Sequence, residues 1–321
     1  ITPLGLDFTI PEYNQMTVSW LEEDNIGVDS LEICYISGSG APICFENIPN
    51  GILEYTFSIP QGITDQAIVI ISASDVAGNI GLDTSEVFSV TDNTNPVVNV
   101  ADITEAYIGD LLDIQWESSD NGRISFHKLY YSETVGQEYI FIDQVDSSQY
   151  FYQWSVPNFV STNASVIVKT YDSVGLFSSD TSNLFYVYDD IDPIISIESP
   201  VGDFNILENT LLNTSWNASD NIGLDSIYIF YSSTNGLEYL QVGSIDAEVS
   251  EFDFTVPLGV TDSAVVKLLA IDINSNQSQV ISDIFSVTDN TSPEVSVSDP
   301  GELYIGSDIT LNGDAPHTPA L

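Results

Sequence analysis

The sequence predicts an all-β chain built as a tandem array of antiparallel β-sandwiches, and three observations carry that prediction. Landmarks recur at one spacing: Trp20, Trp116 and Trp216, then Asp24-Asn25, Asp120-Asn121 and Asp220-Asn221, then Tyr35, Tyr131 and Tyr231, with offsets of 96 and then 100. Apolar residues alternate with polar ones at a period of two, and no helical period of useful length occurs. Gly, Asn, Asp and Pro break the pattern into short runs, as turns between strands do. A repeat of this length is too long for a solenoid unit and suits an independent β domain. The expected copies are residues 1–95, which lack an obvious first strand, then 96–192 and 193–292. Residues 293–321 read as the start of a fourth, so the sequence looks like a window from a longer repetitive polypeptide.

Within a copy the elements follow in order. Leu112, Ile114 and Trp116 alternate with polar residues and predict a strand ending on a buried tryptophan, matched by Leu212, Thr214 and Trp216. After the Asp-Asn turn comes a strand with Leu129 and Tyr131 inward, equivalent to Ile33 and Tyr35 and to Ile229 and Tyr231. An aromatic run ends at Pro60, Pro157 or Pro257. The next strand carries Val166, Val168 and Thr170 on its core face, aligned with Val266, Leu268 and Ala270. Its other face carries Lys169 in one copy and Lys267 in the next, and is read as wet. An acidic turn follows at Asp75, Asp172 or Asp272, and a last strand is expected to end in Phe88, Phe185 or Phe285. The repeated tryptophan is expected to anchor the core rather than to stack on sugars.

Charge sets the partners. Four basic residues stand against 48 acidic ones, a net charge of −44. Nucleic acid needs a cationic footprint, and anionic membrane surfaces would repel this chain, so neither is a partner. Divalent cations are. High charge alone would favour disorder, but 43% hydrophobic residues with 16 Tyr and 15 Phe predict folded domains with acidic surfaces. No apolar run is long enough for a transmembrane helix, so no direct membrane insertion is expected in this segment.

Cys34 and Cys44 bracket a Ser-Gly-Ser-Gly-Ala-Pro turn in the segment equivalent to the hairpin from Tyr131 to Tyr139. A cross-strand disulfide fits there and implies an oxidising compartment. Asn163, Asn213, Asn217, Asn276 and Asn290 satisfy the N-glycosylation pattern, which is permissive in a chain rich in Asn, Ser and Thr. The histidines are His127 and His317. His127 stands where the other copies have Leu31 and Ile227, and is expected to be a partly buried structural residue. No nucleophile recurs beside a base, so no catalytic residues and no enzyme activity are expected.

The phrase W-x3-D-N, followed by x9-Y, a Val-Pro strand end, an acidic turn and D-x-x-x-P, resembles the Ig-like or fibronectin III-like repeats of prokaryotic surface and secreted proteins. That resemblance covers the whole chain and implies Ig-like sandwiches joined end to end. Such repeats occur in adhesin stalks, surface layers and enzyme appendages, so the likeness specifies fold more than function. The junctions Asp92–Pro96, Asp189–Pro193 and Asp289–Pro293 are also similar to the cadherin linker, which implies calcium between domains. The match is partial, because Asp190 stands where the other junctions have Asn.

Strand parity adds to that likeness. In a sandwich of alternating strands, the junction, the Asp-Asn turn and the acidic turn share one end. Asp92, Asn93, Asp120, Asn121 and Asp172 should therefore crowd together, as should Asp189, Asp190, Asp192, Asp220, Asn221 and Asp272. Carboxylates packed without a base repel, and a hard cation with oxygen ligands relieves this. The alternative is that Asp and Asn simply cap their own turns. The leading function is a structural stalk, fibre or surface-lattice segment of an extracellular protein, with calcium-stiffened joints and with copies of itself or cell-surface glycans as further partners. One alternative is an accessory carbohydrate-binding array of a secreted enzyme, with Tyr130, Tyr228 and Phe230 as its candidate aromatics. Another is a salt-adapted acidic surface protein with no specific ion site.

Overall fold

A computed structural model describes residues 1, 5, 7–49, 51–134, 136–297, 305–306 and 313–314. Among the described residues there is no helix, and the strands fall into three sets. The first set is β1 (Thr9–Pro11), β2 (Gln15–Ser19), β3 (Val28–Ser37), β4 (Ile43–Ile48), β5 (Glu54–Ser58), β6 (Thr64–Asp75), β7 (Ile80–Thr84) and β8 (Phe88–Thr91). The second is β9 (Val97–Val100), β10 (Glu105–Tyr107), β11 (Leu111–Ser119), β12 (Ile124–Ser132), β13 (Ile140–Asp146), β14 (Phe151–Ser155), β15 (Ser161–Asp172), β16 (Phe177–Thr181) and β17 (Phe185–Tyr188). The third is β18 (Ile194–Ser199), β19 (Asn205–Leu207), β20 (Leu211–Ser219), β21 (Leu224–Ser232), β22 (Leu240–Asp246), β23 (Glu251–Thr255), β24 (Thr261–Asp272), β25 (Gln277–Ile281) and β26 (Phe285–Thr288).

Each set makes two sheets. The larger has the order β10-β17-β15-β12-β13 with β16 also on β15, and the smaller is β9-β11-β14. The third set repeats this as β19-β26-β24-β21-β22 with β25, and β18-β20-β23. The first set gives β1-β8-β6-β3-β4 with β7, but its second sheet is only β2-β5. A counterpart of β9 and β18 is what the first set lacks among the described residues. The chain divides into two compact units, Ile1–Val156 with Val160–Val187, and Pro157–Phe159 with Tyr188–Leu321. The first unit holds two sandwiches and the second holds one. Of the expected fourth copy, β27 (Ser296–Val297) pairs with β28 (Gly313–Asp314). His317 lies outside the described residues.

Alternation places the cores. Trp20, Trp116 and Trp216 are 4%, 3% and 2% exposed, which makes them core anchors and removes them as sugar platforms. Leu129 on β12 and Val166 and Val168 on β15 are wholly buried, as are Ile229, Val266 and Leu268 in the third sandwich. Burying each such side chain stabilises the fold by about 1.5–3 kcal/mol before entropy is counted. The last strand differs from expectation. Phe88, Phe185 and Phe285 begin β8, β17 and β26 rather than ending them. A serine interrupts the strand: Ser85 donates its N–H to Val69 O at 2.8 Å, and its Oγ accepts from Val69 N at 2.9 Å. Ser182 and Ser282 do the same with Val166 and Val266. A hydroxyl standing in for a ladder acceptor ends one segment and starts the next.

His127 is fully buried, more than expected, with Nδ1 2.9 Å from Thr170 Oγ1 on the neighbouring strand. The equivalent pairs are Leu31 with Ala73 and Ile227 with Ala270, so a polar pair has replaced an apolar one as a unit. Burial pushes the imidazole below its ordinary value, although the backbone of Ser147 and the charge of Asp146 favour the proton. The unfolded chain therefore takes up a proton first, near pH ~6.5. This contribution to stability is present above that pH and is lost as pH falls towards the folded value. Urea unfolding should show a loss between about pH 7 and 5 that the double substitution His127→Leu with Thr170→Ala removes. An unchanged pH slope in that variant would assign the dependence to carboxylates alone.

Cys34 and Cys44 face each other across β3 and β4 and are bonded. Labelling of the unreduced, denatured chain should find no free thiol. Reduction should cost roughly 2–3 kcal/mol, since the closed loop is short.

Candidate functional site

The second and third sandwiches build the same end from three turns. In the second sandwich these are the junction with Asp92, the turn after β11 with Asp120 and the turn after β15 with Asp172. One carboxylate oxygen of each aspartate holds its own turn. Asp92 Oδ1 accepts Thr94 N at 3.0 Å and Asp120 Oδ2 accepts Gly122 N at 3.0 Å. Asp172 Oδ1 accepts the N–H groups of Val174, Gly175 and Leu176 at 2.7–2.9 Å. That accounts for the local capping role of these residues, and for only half of each carboxylate.

The three carboxylates converge. Asp92, Asp120 and Asp172 present ligand atoms within 4.8 Å of one another, and so do Asp189, Asp220 and Asp272. Asp92 Oδ2, Asp120 Oδ1 and Asp172 Oδ2 are buried and accept no hydrogen bond. In the third sandwich the same holds for Asp189 Oδ2, Asp220 Oδ2 and the amide oxygen of Asn221. Asp172 and Asp189 are 2% and 8% exposed. Among the described residues no lysine or arginine forms an ion pair with a carboxylate. Burial and then the charges of Asp120, Asp172 and Glu12 push the Asp92 carboxyl above its usual range, although Thr94 N–H favours its charge. Asp24 and Asp75 show the contrast. The backbone N–H groups of Gly27 and Ile26 hold Asp24 below the usual range, and the Asn79 side chain with nearby backbone N–H groups holds Asp75 there. Gly122 makes the close approach feasible, because a Cβ there would sit 2.5 Å from Asp92 Oδ2 and 3.1 Å from Asp120 Oδ2.

Asn93 and Asn121 each donate a side-chain amide N–H to Glu12, at 3.3 Å to its backbone oxygen and 2.9 Å to Oε1 respectively. Asp190 and Asp192 are exposed and outside the group formed by Asp189, Asp220 and Asp272, because successive residues of an extended linker point to opposite sides. Asn221 stays at its site and donates to Asp189 Oδ1 at 3.2 Å. Of the glycosylation candidates, Asn213, Asn217 and Asn290 are exposed and Asn163 is half-buried. Asn276 has its amide nitrogen engaged with Asp272 Oδ2 and Asp189 O.

Glu12 is the residue that sequence reasoning passed over. It is wholly buried and accepts Gly62 N at 2.8 Å, Asn121 Nδ2 at 2.9 Å, Asn93 N at 3.4 Å and the hydroxyl of Thr94. Burial pushes its carboxyl up, but the bonds from Thr94, Gly62, Asn121 and Asn93 outweigh this and hold it below the usual range. Glu208 repeats the arrangement, accepting Gly259 N at 2.7 Å and Thr291 Oγ1 at 2.6 Å. Gly62 and Gly259 have φ of +139° and +131°, a backbone that turns the N–H to the carboxylate and that other residues rarely adopt. The second copy carries Ile108, Phe159 and Ile191 where the others have Glu, Gly and Thr.

Two of the three aromatic candidates for sugar stacking, Tyr130 and Phe230, each have a lysine over the ring. Lys169 Nζ lies 5.1 Å from the Tyr130 ring centre, and Lys267 Nζ lies 4.5 Å from Phe230 and 4.2 Å from Tyr239. These lysines, expected on a wet face, lay their stems along the rings.

No family model and no curated protein matches the chain. Among solved structures, a tetra-tandem repeat in the extending region of a large adhesion protein is 14% identical, with a TM-score of 0.40, over 88% of this chain and 72% of that one. A variant of titin domains I67–I69 is 11% identical over 89% and 96%, with a TM-score of 0.45. The FN1–FN3 domains of chicken CNTN1 are 14% identical over 84% and 95%, with a TM-score of 0.34. These neighbours are tandem Ig-like and fibronectin III-like domains. The fold assignment rests on the strand order described above, and at these scores the likenesses add nothing about function.

Proposed function

We propose that this chain is a structural segment of an extracellular stalk, fibre or surface lattice whose joints are held by calcium. Asp92, Asp120 and Asp172 would hold one ion, and Asp189, Asp220 and Asp272 with Asn221 the other. The observation that carries the reading is the set of buried, unpartnered carboxylate oxygens, in a chain with almost no bases to neutralise them. A turn-capping role uses one oxygen each of Asp92, Asp120, Asp172, Asp189 and Asp220 and leaves their buried, unpartnered second oxygens unexplained. A buried, uncompensated carboxylate is costly, and a hard cation with oxygen ligands compensates three at once. The first joint has a direct consequence. Asp92 belongs to the junction while Asp120 and Asp172 belong to the second sandwich, so an ion there fixes the linker to the domain that follows it.

The disulfide agrees with an oxidising compartment, and among the described residues no helix is long and apolar enough to cross a membrane. The salt-adapted alternative shares the acidic surface but has no use for convergent buried oxygens. Equilibrium dialysis at fixed ionic strength separates the two. The calcium reading expects two bound ions per chain, with Asp120→Asn and Asp220→Asn each removing one. Binding that sodium chloride replaces at equal ionic strength would leave the acidic surface as salt adaptation alone.

A further inference from the structure

We infer that the two sites differ in strength, and that the residue four positions after the last aspartate sets the difference: Leu176 leaves the first site strong and Asn276 weakens the second. The inference rests on the calcium reading above. Asp172 and Asp272 occupy equivalent positions at the ends of β15 and β24, and each spends Oδ1 on the backbone of its turn. They differ at Oδ2. Asn276 donates its Nδ2 to Asp272 Oδ2 at 2.8 Å and to the backbone oxygen of Asp189 at 3.1 Å. Asn79 caps Asp75 Oδ2 in the same way at 2.7 Å. Leu176 has no such donor, and Asp172 Oδ2 is left buried and unpartnered.

The first site therefore offers three free carboxylate oxygens. The second offers two, from Asp189 and Asp220, with the neutral oxygen of Asn221, and its third carboxylate is already hydrogen-bonded. An ion that takes Asp272 Oδ2 as a ligand must displace or share the Asn276 N–H bonded to that oxygen. Calcium affinity follows the number of charged ligands and the freedom of each to coordinate. Asn276 is thus a specificity-determining residue that does not itself ligate.

Calcium titration of the 321-residue chain, followed by calorimetry at constant ionic strength, tests this. Two classes of site are expected, separated by about tenfold in dissociation constant. Asp120→Asn should remove the tighter class and Asp220→Asn the weaker. Leu176→Asn should weaken the tighter class by about tenfold, and Asn276→Leu should strengthen the weaker one by a similar factor. Both exchanges install a residue that the same turn carries in another copy, so the turn is expected to persist; far-ultraviolet dichroism checks that it does. Two ions bound with equal affinity, or an order unmoved by the two exchanges, would overturn the inference and leave the calcium reading standing. No bound calcium would overturn both.

Discussion

Raising calcium to roughly 100 times its dissociation constant, at fixed ionic strength, should stabilise the second and third sandwiches by about 2.7 kcal/mol each. For domains of this size that corresponds to a rise in melting temperature of roughly 10–20 °C. The effect follows from mass action, because the folded chain gathers Asp92 with Asp120 and Asp172 while the unfolded chain scatters them between positions 92 and 172. An ion there would also offset the burial and the neighbouring charges that push the Asp92 carboxyl up. Extracellular calcium-binding modules bind at about 10⁻⁴–10⁻³ M, so millimolar calcium is the range in which to look for the effect. Magnesium should stabilise less, since it keeps its waters and demands octahedral geometry. Asp120→Asn should abolish the rise in the second sandwich alone, and Asp220→Asn in the third alone. A rise of equal size with magnesium or with sodium chloride would mean that these carboxylates are merely screened.

The parts of this molecule that were legible in the sequence are those written by repetition and parity. Trp20, Trp116 and Trp216 recur because each sandwich needs the same anchor, and alternation placed Val166 and Val168 on the buried side without any tertiary information. Parity also brought Asp92, Asp120 and Asp172 to one end, since loop position in a sandwich follows from strand number. Side-chain partners within that end are not legible from parity, since the amide nitrogens of Asn93 and Asn121 donate to a buried acceptor outside the three turns. That acceptor, Glu12, escaped notice because Ile108 breaks the recurrence on which the reading relied. The signal was present as a correlated exchange: Glu12, Gly62 and Thr94 become Ile108, Phe159 and Ile191, and return as Glu208, Gly259 and Thr291. His127 and Thr170 were a second such exchange, visible once β12 and β15 are known to be neighbours.

Replacing Glu12 with alanine should destabilise the first unit by about 3–5 kcal/mol, most of it from donors left without a partner rather than from lost packing. Gly62 N–H, the Thr94 hydroxyl and Asn121 Nδ2 all end on this one buried carboxylate. Each buried donor stripped of its acceptor costs roughly 1–3 kcal/mol, and the sum is less than additive because the turns can relax. Glu12→Gln keeps an acceptor oxygen and should cost about 1–2 kcal/mol while relieving Asp92 of one neighbouring charge. Of the donors, only Asn121 belongs to the second sandwich, so it alone reports on communication between copies. A double-mutant cycle of Glu12→Ala with Asn121→Ala should give a coupling of about 1–3 kcal/mol in urea unfolding. Because the bond from Asn121 Nδ2 to Glu12 Oε1 uses no oxygen of Asp92, Asp120 or Asp172, that coupling should persist in chelator. The first joint would then have a calcium-independent clamp beside its calcium site. A coupling below about 0.5 kcal/mol would show that the first two sandwiches meet at this point without holding one another.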